Sequence, residues 1–282
     1  MDEKDSIIVL SGGMDSVTLL YEFRANIALA VTFDYGSNHN RREIEFARMH
    51  CERLGIEHIV IPLDFMAKYF KSSLLEGAEA IPEGNYDDEN MKSTVVPFRN
   101  GIMLAVACGL AESRGLSHVM IANHAGDHAI YPDCRPAFVR AMSSAMSAGT
   151  YDGITVMAPY TNVSKTEIAR HGARLGLNYA ETYSCYKGGE KHCGKCGTCR
   201  ERIEALHDAG IEDPTEYEEL LISVFNAMKI LPGLNVTFSW KRALGVTNVK
   251  RSIARKTGIP TTRQGLERKI GNAIIGAIFK KK

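Results

Sequence analysis

The sequence predicts an α/β protein with a Rossmann-like parallel sheet and helices on both faces. Short apolar runs alternate along the chain with longer runs of helical character, which is the pattern of βαβ units. A glycine-rich sequence, SGGMDS, follows the first apolar run, at the point where such a unit turns from strand to helix. With 282 residues, of which 45% are apolar, the chain can form one large domain or two smaller ones.

The strands and helices of this sheet are predicted in order along the chain. Short apolar segments predict strands at residues 6–10, 27–33, 57–63 and 118–122. Helices are predicted at residues 14–23, 41–54, 101–113 and 135–146. A further helix is expected to begin after Ser164, because Ser164 and Glu167 form a capping box there, and to end near Leu175. The acidic, irregular segment 76–90 is expected to be a solvated loop or a lid over a site.

Charge is distributed unevenly along the chain. Residues 1–240 include 22 basic and 32 acidic residues, whereas residues 241–282 include twelve Lys or Arg and one acidic residue. A domain boundary is predicted near Pro214, with one domain over residues 1–213 and a helical, basic extension over residues 214–282. The first helix of the extension is predicted at 216–230. Residues 241–282 are expected either to contact a polyanion such as nucleic acid, or to dock on the acidic domain.

A cytoplasmic location, with no membrane contact, is expected. The first residues, MDEKDSIIVL, are acidic and polar and lack the features of a secretory signal. Apolar stretches fall short of the length that spans a bilayer. Disulfides are disfavoured in the cytoplasm, so the seven cysteines are expected to be metal ligands or buried thiols. Cys51 and Cys108 lie in predicted helices, which favours buried thiols.

The SGGMDS loop predicts a phosphate site. Gly12 and Gly13 allow a tight turn whose N–H groups point at phosphate oxygens, and Ser11 and Ser16 add hydroxyl groups. The helix that follows places its positive end at the same anion. The loop lacks the lysine of the ordinary P-loop. The loop resembles the SGGxDS loop of ATP pyrophosphatases, and this resemblance implies that Asp15 helps to position Mg²⁺, a hard cation that prefers oxygen ligands.

Four cysteines form a second motif of spacing C-x7-C-x2-C-x2-C, at Cys185, Cys193, Cys196 and Cys199. The short spacing and the intervening glycines fit a closed, tetrahedral zinc site of the structural kind. A [4Fe–4S] cluster is a rival interpretation, because it also takes four cysteines. His192 is an alternative fourth ligand. We predict zinc in a C-terminal subdomain of the fold.

Four segments between the two motifs carry a family resemblance. They are VTFDYGSNHNRREIEFA at 31–47, VPFRN at 96–100, GDHAIYPDCRPAF at 126–138 and ETYSCY at 181–186. In this order and at this spacing, they resemble the 7-cyano-7-deazaguanine synthase family of ATP pyrophosphatases. The resemblance covers roughly residues 5–205 and implies a fold of the adenine nucleotide alpha hydrolase type.

The resemblance implies an ATP-dependent ligase that converts 7-carboxy-7-deazaguanine and ammonia to 7-cyano-7-deazaguanine, on the route to queuosine or archaeosine. The carboxylate is first adenylated, and ammonia displaces AMP to give an amide. A second adenylation, on the amide oxygen, then leads to the nitrile. ATP, Mg²⁺ and Zn²⁺ are the implied cofactors, free ammonia is the implied nitrogen source, and a homodimer is the implied assembly.

The same resemblance indicates the site residues. The expected catalytic residues are Asp15, Ser16, Arg99 and Lys165. The expected ATP-binding residues are Leu10, Ser11, Gly12, Gly13, Met14, Asp15, Ser16 and Asp34. Asp34 is included because it lies at the end of the second predicted strand, where open α/β sheets bind ligands. The expected substrate-binding residues are Arg99, Asn100, Asp127, Tyr131, Asp133 and Arg135. Arginines suit a carboxylate or phosphate, aspartates suit the amidine-like edge of the deazaguanine, and a tyrosine can stack on its ring.

Two departures from the family pattern leave alternatives open. Phe98 stands where the family has a small residue, so the local pocket is expected to differ, and NHAGDHAIYPDC replaces the usual run before the tyrosine. A related enzyme could stop at the amide, or modify a nucleic acid held by the basic extension. A nucleotide-binding protein without activity is a third interpretation, which the intact SGGMDS loop disfavours.

Overall fold

The computed structural model describes residues 4–86 and 88–218. Five strands form one parallel sheet in the order β3-β2-β1-β4-β5. The strands are β1 (Ser6–Val9), β2 (Ile27–Asp34), β3 (Glu57–Pro62), β4 (His118–Met120) and β5 (Thr155–Met157). The α-helices of the described residues are α1 (Met14–Glu22), α2 (Asn40–Leu54), α3 (Asp64–Tyr69), α4 (Arg99–Ser113), α5 (Pro136–Gly149), α6 (Lys165–Arg174) and α7 (Gly197–Ala209).

Successive residues of the central strand point into two different apolar layers. Ile7 of β1 is buried in the layer that includes Leu104 of α4, whereas Ile8 is buried in the layer that includes Val17 of α1 and Ile168 of α6. A strand covered by helices on both faces must be apolar on both faces, which is why SIIV has no polar alternation after its first residue. The predicted α/β class, with a parallel sheet and helices on both faces, is confirmed.

The strand order reverses beside β1, which lies between β2 and β4. In open parallel sheets, ligands bind outside the carboxyl ends of the strands at such a reversal. The SGGMDS loop leaves the carboxyl end of β1, Tyr35 follows β2, and residues 121–124 follow β4. The fold therefore brings three loops that are distant in sequence to one edge of the sheet.

All four predicted strands and the five predicted helices of residues 1–213 are present, with ends displaced by at most three residues. The capping box is confirmed, because the Ser164 hydroxyl accepts from the N–H of Glu167 and the Glu167 carboxylate accepts from the N–H of Ser164. The short elements β5 and α3 were not predicted, because three to six residues are too few to show periodicity. Helix α7 was missed because it begins inside the cysteine motif.

The predicted helix over residues 216–230 is wrong at its start. Residues 216–218 are not helical, and Tyr217 forms an isolated β-bridge with His192 of the cysteine-rich region. The N–H of His192 donates to the carbonyl of Glu216 (3.1 Å), and the N–H of Glu218 donates to the carbonyl of His192 (2.8 Å). The remainder of this helix, and the basic extension that follows, lie outside the described residues. The boundary between residues 213 and 214 stays a prediction.

Among the residues that the structure describes, the segment Glu89–Ser113 is long and apolar enough by length and composition to cross a membrane. It consists of a 3-10 helix, Glu89–Thr94, followed by α4, and Pro97 lies between them. Within α4, Leu104, Ala107 and Ala111 are fully buried against the sheet. The second half of the segment is therefore a helix of the protein core.

Candidate active site

A cavity opens at the carboxyl edge of the sheet. The SGGMDS loop forms one wall, the segment from the end of β2 into α2 forms a second, and the residues after β4 form a third. Residues that come after β5 in the sequence also line the cavity, namely Lys165, Tyr183, Ser184, Tyr186 and Thr198. Tyr86, from the irregular segment 76–90, also lines the cavity and is consistent with the predicted lid.

Within the SGGMDS loop, the two serines hold each other in place. The hydroxyl oxygens of Ser11 and Ser16 are 3.1 Å apart, and the N–H of Gly13 donates to the Ser11 hydroxyl (3.3 Å). Helix α1 begins at Met14 with no side-chain hydrogen bond at its N-cap, Gly13. The first N–H groups of α1 are thus available to an anion, as a phosphate site requires.

Gly12 lets this loop approach α2 closely. Its φ is +76°, and a Cβ added there would lie 2.4 Å from the backbone oxygen of Glu43. Both features exclude a larger residue, because the backbone of α2 cannot move away as a flexible side chain could.

Replacing Gly12 by alanine is therefore expected to lower the free energy of unfolding by about 1–3 kcal/mol. Urea denaturation measures the change. Gly109→Ala is the matched control, since a Cβ at that helical position meets nothing within 4 Å. Equal stability of the two variants would contradict the close approach described here.

Lys165 lies at the centre of a charged cluster beside the loop. Its Nζ atom is 3.0 Å from Asp15 Oδ2 and 2.9 Å from Glu201 Oε2. Burial alone would lower the pKa of Lys165, but these two carboxylates raise it above its usual value. The lysine thus carries a fixed positive charge at the start of α6, beside the predicted phosphate site.

His124 packs against the same cluster. Its Nδ1 accepts from the N–H of Gly126 (3.0 Å). Nε2 lies 3.5 Å from Asp127 Oδ1. Burial would raise the pKa of Asp127, but His124, its backbone N–H and Lys165 lower it instead. The hydroxyl of Tyr86 donates to the same carboxylate (2.8 Å). Asp127 is therefore held as an anion in the cavity wall.

One carboxylate oxygen of the cluster, on Asp15, lacks a hydrogen-bond partner among the described residues. Asp15 Oδ1 is buried and accepts no hydrogen bond from the described residues. A buried carboxylate oxygen without a donor is costly, and a divalent cation bound with the nucleotide would satisfy it. The donor set therefore fits the predicted Mg²⁺ at Asp15.

The cavity lining also contains a second group of ionisable residues. Arg99, at the start of α4, donates to the Tyr35 hydroxyl (3.0 Å), which lies 3.3 Å from His39 Nε2. His39 Nε2 is in turn 3.8 Å from Glu43 Oε2. Burial and the nearby Arg99 charge lower the pKa of His39 to about 3, so the ring is neutral. Burial raises the pKa of Glu43 to about 8, and the Arg99 charge offsets only part of that effect.

The stability of the protein should report this raised pKa. Between an unfolded value of about 4.5 and a folded value of about 8, native Glu43 keeps a proton that the unfolded chain has lost. Wild type should therefore lose stability relative to Glu43→Gln as the pH rises from 5 to 8, by on the order of a few kcal/mol. Urea denaturation of both proteins at pH 5, 6.5 and 8 measures the difference. A difference that does not change with pH would contradict it.

The structure brings most of the predicted site residues to the cavity. The lining residues among them are Leu10, Ser11, Gly13, Met14, Asp15, Ser16, Arg99, Asn100, Asp127, Tyr131 and Lys165. Four predicted residues are absent from the lining, namely Gly12, Asp34, Asp133 and Arg135. Asp34 Oδ1 accepts from the N–H of Gly36, and Arg135 is exposed and donates to the carbonyl of His128. Asp133 Oδ2 accepts from the backbone N–H of Asn100 (2.8 Å) and so positions the start of α4.

Phe98 does not alter the cavity as its position in VPFRN implied. Its side chain is 58% exposed, is absent from the lining, and packs edge-on against Phe138. Its backbone is left-handed, with φ of +53°, which explains why a glycine suits this position. The substitution thus strains the turn into Arg99 without placing a ring against the ligand.

The four cysteines of the second motif meet at one point. Their Sγ atoms lie within 4.8 Å of one another, all four residues are buried, and Cys193 and Cys199 Sγ are 3.9 Å apart. A tetrahedral ion with Zn–S bonds of about 2.3 Å would hold its sulfurs about 3.8 Å apart. A four-iron cluster would separate them further, because each sulfur binds a different iron. His192 is outside this group of donor atoms, and its Nε2 accepts from the N–H of Ser184 (3.0 Å).

Helix α7 connects this cluster to the cavity. It begins at Gly197, between Cys196 and Cys199, and it includes Glu201, whose carboxylate pairs with Lys165. The next residue, Arg202, is fully buried. Its guanidinium donates to the hydroxyl of Thr182 (2.9 Å) and, through two nitrogens, to the hydroxyl of Thr215 (2.7 and 3.1 Å).

Sequence reasoning missed several residues of the site, among them Glu43, Tyr86, His124 and Glu201. His124 follows β4 and could have been found by the argument that selected Asp34, because both lie at carboxyl ends of strands. Glu43 and Glu201 stand among other charges in amphipathic helices, RREIEF and CRERIE, where the pattern alone indicates a solvated face. Only the packing of α2 and α7 directs them inward.

Comparison with known proteins identifies the family. The sequence model of the family described as "Queuosine biosynthesis protein QueC" matches residues 5–210. The chain belongs to the QueC family. Residues 211–282, which include the basic extension, lie outside the QueC match.

Relatives of this QueC chain include enzymes named 7-cyano-7-deazaguanine synthase. The one from Porphyromonas gingivalis is 70% identical over 216 residues, which are 77% of this chain and 98% of the relative. The one from Desulfotalea psychrophila is 52% identical, over 76% of this chain and 98% of the relative. Among solved structures, an NMN synthetase from Francisella tularensis aligns over 83% of this chain and 90% of its own, with 14% identity and a TM-score of 0.42. That likeness is too weak to support a functional argument.

Proposed function

We propose that this QueC-family protein is an ATP-dependent ligase that converts 7-carboxy-7-deazaguanine and ammonia to 7-cyano-7-deazaguanine. The observation that carries the proposal is the 70% identity to a 7-cyano-7-deazaguanine synthase over 98% of that enzyme's length. The cavity supports it, because a phosphate-type loop and a set of fixed charges face one another there. The alternatives of an amide product or a nucleic-acid substrate are not favoured.

The loop half of the cavity suits the nucleotide. The free N–H groups at the start of α1 and the hydroxyls of Ser11 and Ser16 are placed to bind phosphate oxygens. Lys165, held protonated by its carboxylate neighbours, would offset the charge that develops on the departing pyrophosphate. Asp15 would hold Mg²⁺, which supplies further positive charge at the phosphates when bound.

Further lining residues suit the deazaguanine. Asp127 is an anion in the cavity wall and would accept hydrogen bonds from the amidine-like edge of the ring. Asn123 Oδ1 is a buried acceptor without a partner among the described residues, and it would accept from a further ring N–H. Arg99 and Asn100, at the start of α4, would bind the carboxylate, and Tyr131 would contact the ring. Asp133 would act through Asn100, whose backbone it holds.

The four-cysteine cluster is proposed to bind one Zn²⁺ in a structural role. All four donors are sulfurs and all are buried, which leaves no open position for water or substrate. The homodimer, the contact of residues 241–282 with nucleic acid, and the cytoplasmic location stay predictions from the sequence.

The decisive experiment incubates the purified protein with 7-carboxy-7-deazaguanine, ATP, Mg²⁺ and ammonium chloride. Mass spectrometry should detect the nitrile, and about two AMP should form for each nitrile, since both oxygens leave as part of AMP. Accumulation of the amide alone, or ATP turnover that requires added RNA or DNA, would overturn the proposal.

A further inference from the structure

The carboxylates that line the cavity differ in how they are held. Asp15 pairs with Lys165 at 3.0 Å, and Asp127 accepts from the Tyr86 hydroxyl at 2.8 Å. Glu43, the third such residue among the described ones, has no partner of this kind: its closest ion-pair atom is His39 Nε2, at 3.8 Å. Glu43 is therefore the lining carboxylate most able to accept a proton.

Glu43 also lies next to both parts of the site that the reaction needs. The backbone of its helical turn touches the SGGMDS loop at Gly12. Arg99, proposed to bind the substrate carboxylate, is the charged group that lowers the pKa of Glu43 against the effect of burial. The first turn of α2 thus places this carboxyl between the nucleotide loop and the proposed position of the reacting carbon.

We infer that Glu43 is the general base that removes protons from the attacking ammonia and from the amide nitrogen. This inference rests on the proposed function. In the first adenylation, a carboxylate oxygen attacks the α-phosphorus of ATP and pyrophosphate leaves, so no proton is transferred. Every later bond change at nitrogen releases a proton.

The proton balance defines where the base acts. Ammonium gives up one proton to become a nucleophile; its nitrogen bonds to the acyl carbon, the C–O bond to AMP breaks, and a second proton leaves to give the neutral amide. In the second adenylation, the amide oxygen attacks ATP and releases pyrophosphate. The nitrogen then loses its two remaining protons as the C–O bond breaks and AMP departs, leaving the nitrile. A single base that returns each proton to solvent serves all of these steps.

Other groups around Glu43 are unsuited to this role. His39, on the preceding turn, is neutral, but burial and Arg99 lower its pKa to about 3, which makes it a weak base. Arg99 on α4 stays protonated, and burial raises the pKa of Tyr35 after β2. The pKa of Glu43, at about 8, lies near the working pH, where a general base is most effective.

The test separates the step without a proton transfer from the steps with one. Exchange of labelled pyrophosphate into ATP, dependent on 7-carboxy-7-deazaguanine and without ammonia, reports the first adenylation alone. Glu43→Gln should keep this exchange within several-fold of wild type, while nitrile formation falls by about 10²-fold or more. Hydroxylamine, which is already neutral at pH 7, should still trap the acyl adenylate as a hydroxamate in the variant.

Glu45→Gln is the matched control, because Glu45 lies on the same helix and pairs with Arg41 and Arg42 outside the cavity. It should retain both exchange and nitrile formation. The pH profile of the wild type provides an independent measurement: nitrile formation, but not exchange, should rise to a plateau as Glu43 ionises near pH 8.

The possible outcomes are distinct. Loss of exchange in folded Glu43→Gln would assign Glu43 to substrate binding and overturn the inference, as would nitrile formation at the wild-type rate. If Glu43→Gln did not fold, a wild-type profile in which exchange and nitrile formation shared one pH dependence would overturn it. A wild-type protein without substrate-dependent exchange would instead refute the proposed function.

Discussion

Replacing Asp15 by asparagine is expected to reduce AMP formation by at least about 10²-fold, because the site loses a charge that acts on both its cation and its lysine. Asp15 Oδ2 holds Lys165 at 3.0 Å, and Asp15 Oδ1 is the buried oxygen suited to Mg²⁺. Asparagine keeps the shape of the side chain but cannot balance either positive charge. AMP release from ATP, with 7-carboxy-7-deazaguanine and ammonium present, measures the effect.

Asp152→Asn is the control for this experiment, because Asp152 is exposed in the turn after α5 and should tolerate the same change of charge. Thermal melting of both variants shows whether the fold is retained. An Asp15→Asn protein that is folded and forms AMP at the wild-type rate would contradict the assignment. An unfolded one would show that Asp15 acts mainly in the structure.

Replacing Cys196 by serine should lower both metal content and stability. Cys196 is fully buried, and its sulfur is one of four within 4.8 Å of one another. Three remaining thiolates hold an ion less well, and the free energy of binding contributes to folding. We expect the free energy of unfolding to fall by at least about 2 kcal/mol. Metal analysis by mass spectrometry and urea denaturation give the two quantities.

Cys108→Ser serves as the control, because Cys108 is a buried thiol of α4 outside the cluster. It should retain full zinc content even if its stability decreases slightly. Full metal occupancy in Cys196→Ser would contradict binding by four sulfurs. Iron in place of zinc in the wild type would restore the [4Fe–4S] interpretation.

The features predicted correctly from sequence are those with a local cause. Strands β1 and β2 are apolar on both faces, and the Ser164 capping box spans only four consecutive residues. Each of these features can therefore be recognised in a short stretch of sequence. The cysteine spacing likewise defines its own geometry. Such features do not depend on which distant segment packs beside them.

The features that sequence could not provide depend on tertiary packing. Asp133 and Arg135 are close neighbours in one motif, yet Asp133 is buried against α4 and Arg135 is exposed. Glu43 is directed to the cavity only because Gly12 allows α2 to lie against the loop. No residue pattern within RREIEF distinguishes Glu43, which lines the cavity, from Glu45, which does not.

The buried position of Arg202 has a consequence for shortened versions of this protein. The family match ends at residue 210, and a chain cut at that residue would lack the basic extension. Such a cut would delete Thr215, which accepts from two of the guanidinium nitrogens of Arg202. A buried cation without its acceptors is costly, and Arg202 follows directly after Glu201 on α7. A shortened enzyme meant for crystallisation or assay should therefore end at residue 218 or later.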